Sequence, residues 1–304
     1  MKIEYGNQDH RIDVTTICYN TLRMKDWITI PQNDEARARC FTDPLFGVLK
    51  SIFVTHEGQT TVYDHTQTVY INLSSNLIST TITDSMLSDQ DRANKKLSVI
   101  HSQLRIQHGS FQDEFPEQQL AARYLTGSEK VLELGGNIGR NSLVIASILG
   151  DNHDFVVLEC DANTVTQLTE NRDVNYFHFF IEPSALSKRP LIQRGWETIV
   201  SDTVLDGYKP VASVTYDELI AKYKIDFDTL VIDCEGALYY ILQDMPELLD
   251  RICLIIMEND YHDINHKEYV DKILKEKNFV VDYVESGGWG PCYANFYEVW
   301  KKSQ

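Results

Sequence analysis

The chain has 304 residues, with 28 Lys and Arg against 45 Asp and Glu, for a formal charge of −17. That balance repels phosphate backbones, so no nucleic-acid partner is expected. At 43% hydrophobic and 24% charged residues, the composition is that of a globular protein able to bury a core without disulfide staples, which excludes disordered, collagen-like and disulfide-scaffold classes.

The first 14 residues carry charges where a signal peptide needs an apolar stretch. The longest apolar runs, such as residues 253–257, fall far short of the roughly 20 residues of a membrane span. A cytoplasmic protein with no membrane span is expected. Cys18, Cys40, Cys160, Cys234, Cys253 and Cys292 form no C-x-x-C pair and read as reduced thiols. The sequon at Asn72-Leu73-Ser74 is taken as chance.

Residues 1–83 read as a small β-rich domain, an antiparallel sandwich or barrel. Segments 3–5, 11–19, 27–30, 51–55, 60–63 and 68–73 are rich in Val, Ile, Thr and Tyr, with turn residues such as those at 31–34 between them. Two roles stay open for it: a carbohydrate-binding or substrate-presenting module, or a packing and oligomerisation domain that would make a homo-oligomer.

Residues 84–126 read as a helical connector. From Asp84 to Gln107 the apolar positions are Met86, Leu87, Leu97, Ile100 and Leu104, the last three spaced along one helix face. A second helix begins at Pro116.

Beyond Gly127, apolar strands alternate with amphipathic helices, the pattern of βαβ units and a parallel sheet. Strands are expected at 130–134, 155–159, 177–181, 229–233, 252–258, 279–284 and 295–300, the last two forming an antiparallel hairpin at the sheet edge. Helices are expected at 140–149, 163–172, 216–223, 237–243 and 267–276.

The most informative segment runs from Val131 to Gly139, an apolar strand entering a glycine turn. A dinucleotide site needs G-x-G-x-x-G. Counting from Gly135, the required glycines fall on Asn137 and Arg140; counting from Gly136, on Ile138 and Asn141. Both registers fail, which disfavours an NAD-dependent oxidoreductase. What fits is an acid, then G-x-x-x-G: Glu133, Gly135 and Gly139. A carboxylate there suits the cationic aminoacyl end of S-adenosylmethionine. Glu159, ending the next strand, can accept both ribose hydroxyls. Five βα units closing on a hairpin then give a seven-stranded Rossmann-like class I methyltransferase sheet.

These motifs resemble the FkbM-type methyltransferases over about residues 117–300. The family pattern D-h-G-A-N-h-G-x-x-S is similar to Glu133 through Ser142. Its ribose acid with L-x-x-N-x-x-x-N is similar to Glu159, Leu168, Asn171 and Asn175, and its A-L-S to Ala185-Leu186-Ser187. Thr215 to Leu219 and residues 225–238 resemble its next signature, and Glu258 ends the fifth strand. The chain departs from the family at Val231, Leu238 and Cys160-Asp161. The resemblance implies S-adenosylmethionine-dependent O-methylation, in many members on a sugar. It also implies cofactor contacts from Glu133, Gly135, Gly136, Asn137, Gly139, Asn141, Glu159, Ala185 and Asp233.

An acceptor hydroxyl needs a base or a metal. The catalytic candidates are Asp233, Glu235 and His262. For a metal, two readings stay open: Mg²⁺ or Mn²⁺ on Asp233, Glu258 and Asn259, or no metal, with Asp233 on the cofactor and Glu258 in an ion pair. Trp289 and Tyr293 are candidates for stacking on a sugar, while Tyr239, Tyr240 and residues 295–300 read as packing. The function expected is methylation of a hydroxyl on a glycan or a glycosylated small molecule. The alternatives are a non-sugar small molecule as acceptor, or a non-catalytic carbohydrate-binding protein on a methyltransferase fold.

Overall fold

Alternating burial builds the first part of the chain. In β1 (Lys2–Gly6), Ile3 and Tyr5 are buried while Lys2 is exposed, the period-two pattern of a strand with one face on a core. There follow β2 (Arg11–Asp13), α1 (Thr15–Thr21), β3 (Arg23–Met24), β4 (Trp27–Ile30), α2 (Asp34–Phe41), β5 (Ser51–His56), β6 (Gln59–Tyr63), β7 (Val69–Asn72) and β8 (Ile78–Ser79). They form two antiparallel sheets, β2-β1-β5-β6 and β3-β4-β7-β8. Ile3, Ile52 and Val54 of one and Ile28, Ile30 and Ile71 of the other share a core with Cys18 and Phe41 from the helices.

Two expectations are corrected here. Segment 11–19 is not one strand: Asp13 Oδ1 accepts the Thr15 N–H at 2.9 Å and turns the chain into α1. The turn residues at 31–34 lead into a helix. Asn33 caps α2 by accepting from the Glu35 N–H at 2.9 Å, and the buried Arg37 donates to the carbonyls of Pro31 and Gln67 at 2.8 and 2.6 Å.

The computed structural model describes residues 1–24, 26–81, 87–150, 152–195 and 197–303, which divide into two compact units, Met1–Ser88 and Asp89–Gln304. Asp84 and Met86, read above as helical, lie outside the described residues.

The second unit begins with α3 (Asp89–Gln103) and α4 (Phe115–Tyr124), then β9 (Val131–Leu134), α5 (Arg140–Ile148), β10 (Phe155–Leu158), α6 (Ala162–Val174) and β11 (Phe180–Glu182). Short strands follow: β12 (Ala185–Leu186), β13 (Leu191–Arg194), β14 (Glu197–Val200), β15 (Lys209–Val211) and β16 (Ser213–Val214). The unit closes with α7 (Tyr216–Tyr223), β17 (Thr229–Ile232), α8 (Leu238–Asp244), β18 (Leu254–Glu258), α9 (Ile264–Glu276), β19 (Phe279–Glu285) and β20 (Tyr297–Lys302).

Seven strands form one sheet in the order β11-β10-β9-β17-β18-β20-β19. The first five are parallel and β20 is antiparallel to both its neighbours. Every residue of β9, β10 and β17 is buried, as helices on both faces require. Val131, Val157 and Val231 pack with α3 to α6, whereas Leu132, Val156 and Ile232 pack with α7 to α9. This is the Rossmann-like methyltransferase fold.

Three details differ from the sequence reading. The helices taken as a connector contribute Ala93, Leu97, Ile100 and Leu120 to the core on one sheet face. The last two strands form the expected antiparallel hairpin at the sheet edge, with β20 between β18 and β19, but the final strand begins later than expected, after a 3-10 turn over residues 290–295. A small sheet, β14-β13-β15, fills the stretch after β12, where no strand was expected.

Asn171, fully buried, ties the approach to the glycine turn. Its Oδ1 accepts the N–H groups of Gln107 and His108 at 2.7 and 3.0 Å, and its Nδ2 donates to the carbonyls of His108 and Ile138 at 3.1 and 2.8 Å. Asn171→Ala leaves these backbone groups without their partner and is expected to cost about 2–4 kcal/mol, measured by urea unfolding. A change below about 0.5 kcal/mol, the scale of an ordinary surface substitution, contradicts the clamp.

Candidate functional site

The sheet order reverses between β9 and β17, and ligands of open α/β sheets sit at the strand ends beside such a reversal. The glycine turn lies there. The Gly135 and Gly136 N–H groups both donate to the Leu158 carbonyl, at 3.0 and 2.9 Å. Gly135 has φ +88°, and a Cβ on it would lie 1.6 Å from the Asp233 carbonyl oxygen. Gly139 has φ +93°, with Leu168 Cδ1 2.5 Å from where its Cβ would be. The turn therefore presses against β17 on one side and α6 on the other, and neither position accommodates a side chain.

Beside it opens a cavity of about 460 Å³ lined by Gly135, Asn137, Glu159, Ala185, Asp233 and Glu235, among others. Glu159 is positioned from both sides: Oε2 accepts the Asn137 N–H at 3.0 Å and Oε1 the Asp161 N–H at 2.8 Å. Each oxygen keeps a lone pair for a ligand hydroxyl, and burial raises the Glu159 pKa above its ordinary value. The lining also includes apolar Leu186, Leu191, Ile199, Ile241 and Met245, together with Tyr240 and Arg189. Arg189 is held by Asp244 at 2.6 Å.

A second, smaller cavity of about 20 Å³ shares Gly135 and Asp233 with the first and is lined by Glu114, Glu117, Glu133, Asn141, Glu258 and Tyr297 as well. Glu133 faces this one. Its carboxylate accepts from Ser142 Oγ at 2.5 Å and from Asn141 Nδ2 at 3.3 Å, and burial pushes its pKa up to about 8. Glu114 accepts from Asn137 Nδ2 at 2.7 Å and from Arg140 Nη1 at 2.6 Å, which ties the entry of α4 to the glycine turn.

Carboxylate oxygens of Glu117, Asp233 and Glu258 all lie within 4.8 Å of one another. Burial and the neighbouring acids Asp260, Glu114, Glu117 and Glu235 raise Asp233 well above the usual carboxylate range. Glu258 is raised by burial and by the neighbouring acids Glu117, Asp233 and Asp260. Its neighbours here are thus acids, in place of the ion pair considered for it. Asn259 does not line the smaller cavity; its Nδ2 donates to the Asn295 carbonyl at 2.6 Å, and its buried Oδ1 has no hydrogen-bond partner. Glu117 joins Asp233 and Glu258.

After β17 the chain turns sharply, with Glu235 at φ +51° and among the residues lining the large cavity. Burial raises the Glu235 pKa, and His262 opposes the rise. Asp260 Oδ1 holds this turn by accepting the Gly236 N–H at 2.7 Å, and burial with the Glu235 charge pushes Asp260 up to about 7. His262 is exposed, its ring 4.5 Å from that of Trp289, and is not among the residues lining the large cavity. Trp289 and Tyr293 are both exposed. Tyr239 stacks on His266 at 3.7 Å as packing, while Tyr240 lines the cavity.

The structure thus gathers Gly135, Asn137, Glu159, Ala185, Asp233 and Glu235 around one cavity and Glu133, Gly136 and Asn141 around its neighbour. Gly139 shapes the turn from outside both linings. Glu114 and Glu117 were missed by sequence reasoning. Their only signal is an acid pair flanking the Pro116 helix start, which reads equally well as ordinary acids of a first helical turn.

No family model matches the chain, and no curated protein matches it. Among solved structures it is similar to an O-methyltransferase from Bacillus cereus in complex with SAH, at 15% identity over 73% of this chain and 92% of that one, TM-score 0.40. It is also similar to a putative O-methyltransferase from Klebsiella pneumoniae, at 14% identity over 72% and 91%, TM-score 0.38. A ribosomal protein L11 methylase from Lactobacillus delbrueckii subsp. bulgaricus matches at 13% over 65% and 82%, TM-score 0.41. The fold assignment rests on the strand order and register of the chain itself.

Because the folded state raises the Glu133 pKa to about 8 from an ordinary 4.5, it retains a proton that the unfolded chain releases between those values. Stability from this group is present below pH 4.5 and lost as pH rises toward 8. Glu133→Gln removes that loss. From pH 5 to 8 the variant is expected to gain about 1 kcal/mol per pH unit on the parent protein, measured by thermal melting without ligand. Parallel pH profiles contradict the assignment.

Proposed function

We propose that this chain is an S-adenosylmethionine-dependent O-methyltransferase whose acceptor is a sugar hydroxyl. The observation that carries the cofactor is the set of acids at successive strand ends around a glycine turn that leaves no room for a side chain. Carboxylates without basic partners favour a cationic ligand, and the charge of the cofactor at its ammonium and sulfonium answers them. The O-linked sugar acceptor rests on the resemblance to FkbM-type enzymes and on the exposed rings of Trp289 and Tyr293.

In this reading Glu159 takes the ribose hydroxyls, the backbone of residues 135–139 supports the methionyl chain, and Ala185 with Leu186 borders the adenine. Bound there, the cofactor supplies an electrophilic methyl group. Asp233 lies on the wall common to both cavities and fixes the cationic end. Glu235, projected from the strained turn after β17, accepts the acceptor's proton as the oxygen–carbon bond forms and the carbon–sulfur bond breaks. The walls hold acceptor oxygen, methyl and sulfur in line, which is most of what such a displacement requires.

Transfer of labelled methyl groups to sugar acceptors, read by mass spectrometry, tests the proposal. Glu235→Gln is expected to lower the rate by about 10²–10⁴-fold with S-adenosylhomocysteine affinity preserved, while His262→Ala stays within about threefold of the parent, well below the contribution of a general base. The opposite ranking makes His262 the base. Methylation confined to non-sugar acceptors refutes the sugar assignment.

A further inference from the structure

We infer that Glu117, Asp233 and Glu258 form a site for one divalent cation, Mg²⁺ or Mn²⁺, bridging α4 to the ends of β17 and β18. Three carboxylates from three separate elements bring oxygens within 4.8 Å of one another, the spacing from which hard cations take oxygen ligands. The cavity among them is about 20 Å³, room for a single ion or water.

Two further observations point to an occupant. Asn141 lines the same cavity and is nine-tenths buried, yet its Oδ1 has no hydrogen-bond partner. Its amide nitrogen is already committed to Glu133, so the oxygen is the free end. Glu117 Oε2 is likewise buried and unpartnered. Both are acceptors, so the missing group is a cation or a donor. None of the residues lining this cavity is Lys, Arg or His, and although buried acids are ordinarily compensated by such a neighbour, Arg140 pairs with Glu114 and with Asp113 rather than with the three proposed ligands. A divalent ion supplies the charge in the space available, and Asn141 Oδ1 offers a neutral fourth oxygen. The site shares Asp233 with the larger cavity, so it rests on the methyltransferase reading only for that residue, while Glu117 and Glu258 line the smaller cavity alone.

The test is titration of the full chain with Mn²⁺ after dialysis against EDTA, by calorimetry and thermal melting, with S-adenosylhomocysteine titrated separately in EDTA. One Mn²⁺ per chain is expected, with a higher melting temperature and affinity at least tenfold weaker in both Glu117→Gln and Glu258→Gln. No binding by about 1 mM Mn²⁺, beyond the range of most protein sites for such ions, overturns the inference. So does binding that both variants leave unchanged. Displacement of Mn²⁺ by S-adenosylhomocysteine also overturns it, by assigning the three acids to the ligand's ammonium. Failure of the nucleoside to bind in EDTA counts against the methyltransferase reading and leaves the cation result to stand on its own.

Discussion

Carboxylates buried without basic partners are the constraint around which the second unit is organised. Glu133, Glu159, Asp233 and Glu258 stand at or near the ends of four adjacent strands, and α4 adds Glu117, whereas Glu114 before it pairs with Arg140. Glu114, Glu133, Glu159, Asp233 and Glu258 have their pKa values displaced upward, with burial as the leading cause. Such a cluster weakens the unliganded protein as pH rises and gains stability from any cation that enters. It sets the sign of the ligand before its identity is considered.

The glycine turn makes that arrangement sterically feasible. Pressing Gly135 against the Asp233 carbonyl brings β9 and β17 close enough for their acids to face a common space, and the two N–H bonds to Leu158 draw the turn over β10. Glu159 is oriented by backbone N–H groups of that turn and of its own loop. Supporting residues behind it, Leu168 under Gly139 and Asn171 across residues 107–108 and 138, explain why motif positions that touch no cavity still matter to the site.

Much of this was legible in the sequence where one local rule decides. The continuous apolar runs of β9, β10 and β17 identify parallel strands, and the failed dinucleotide register at Gly135 follows from counting. Legibility ended where tertiary packing decides. Residues 11–19 have strand composition, but a side-chain turn at Asp13 splits them into β2 and α1. The hairpin could be read, but not the insertion of β20 between β18 and β19, which depends on the return path of the chain. Asn259 follows Glu258 and has ligand chemistry, but successive side chains on a strand point to opposite faces, and Asn259 bonds to Asn295 instead. Glu117 lies far from both its partners in sequence, and no spacing rule connects them.

The central claim is that these acids select a sulfonium nucleoside. Calorimetric titration of the same preparation with S-adenosylmethionine, S-adenosylhomocysteine and NAD at neutral pH tests it most directly. The account predicts that both sulfur nucleosides bind, the charged one about tenfold or more tightly, and that NAD, with its anionic pyrophosphate, does not. Binding of NAD with neither sulfur nucleoside retained would contradict it.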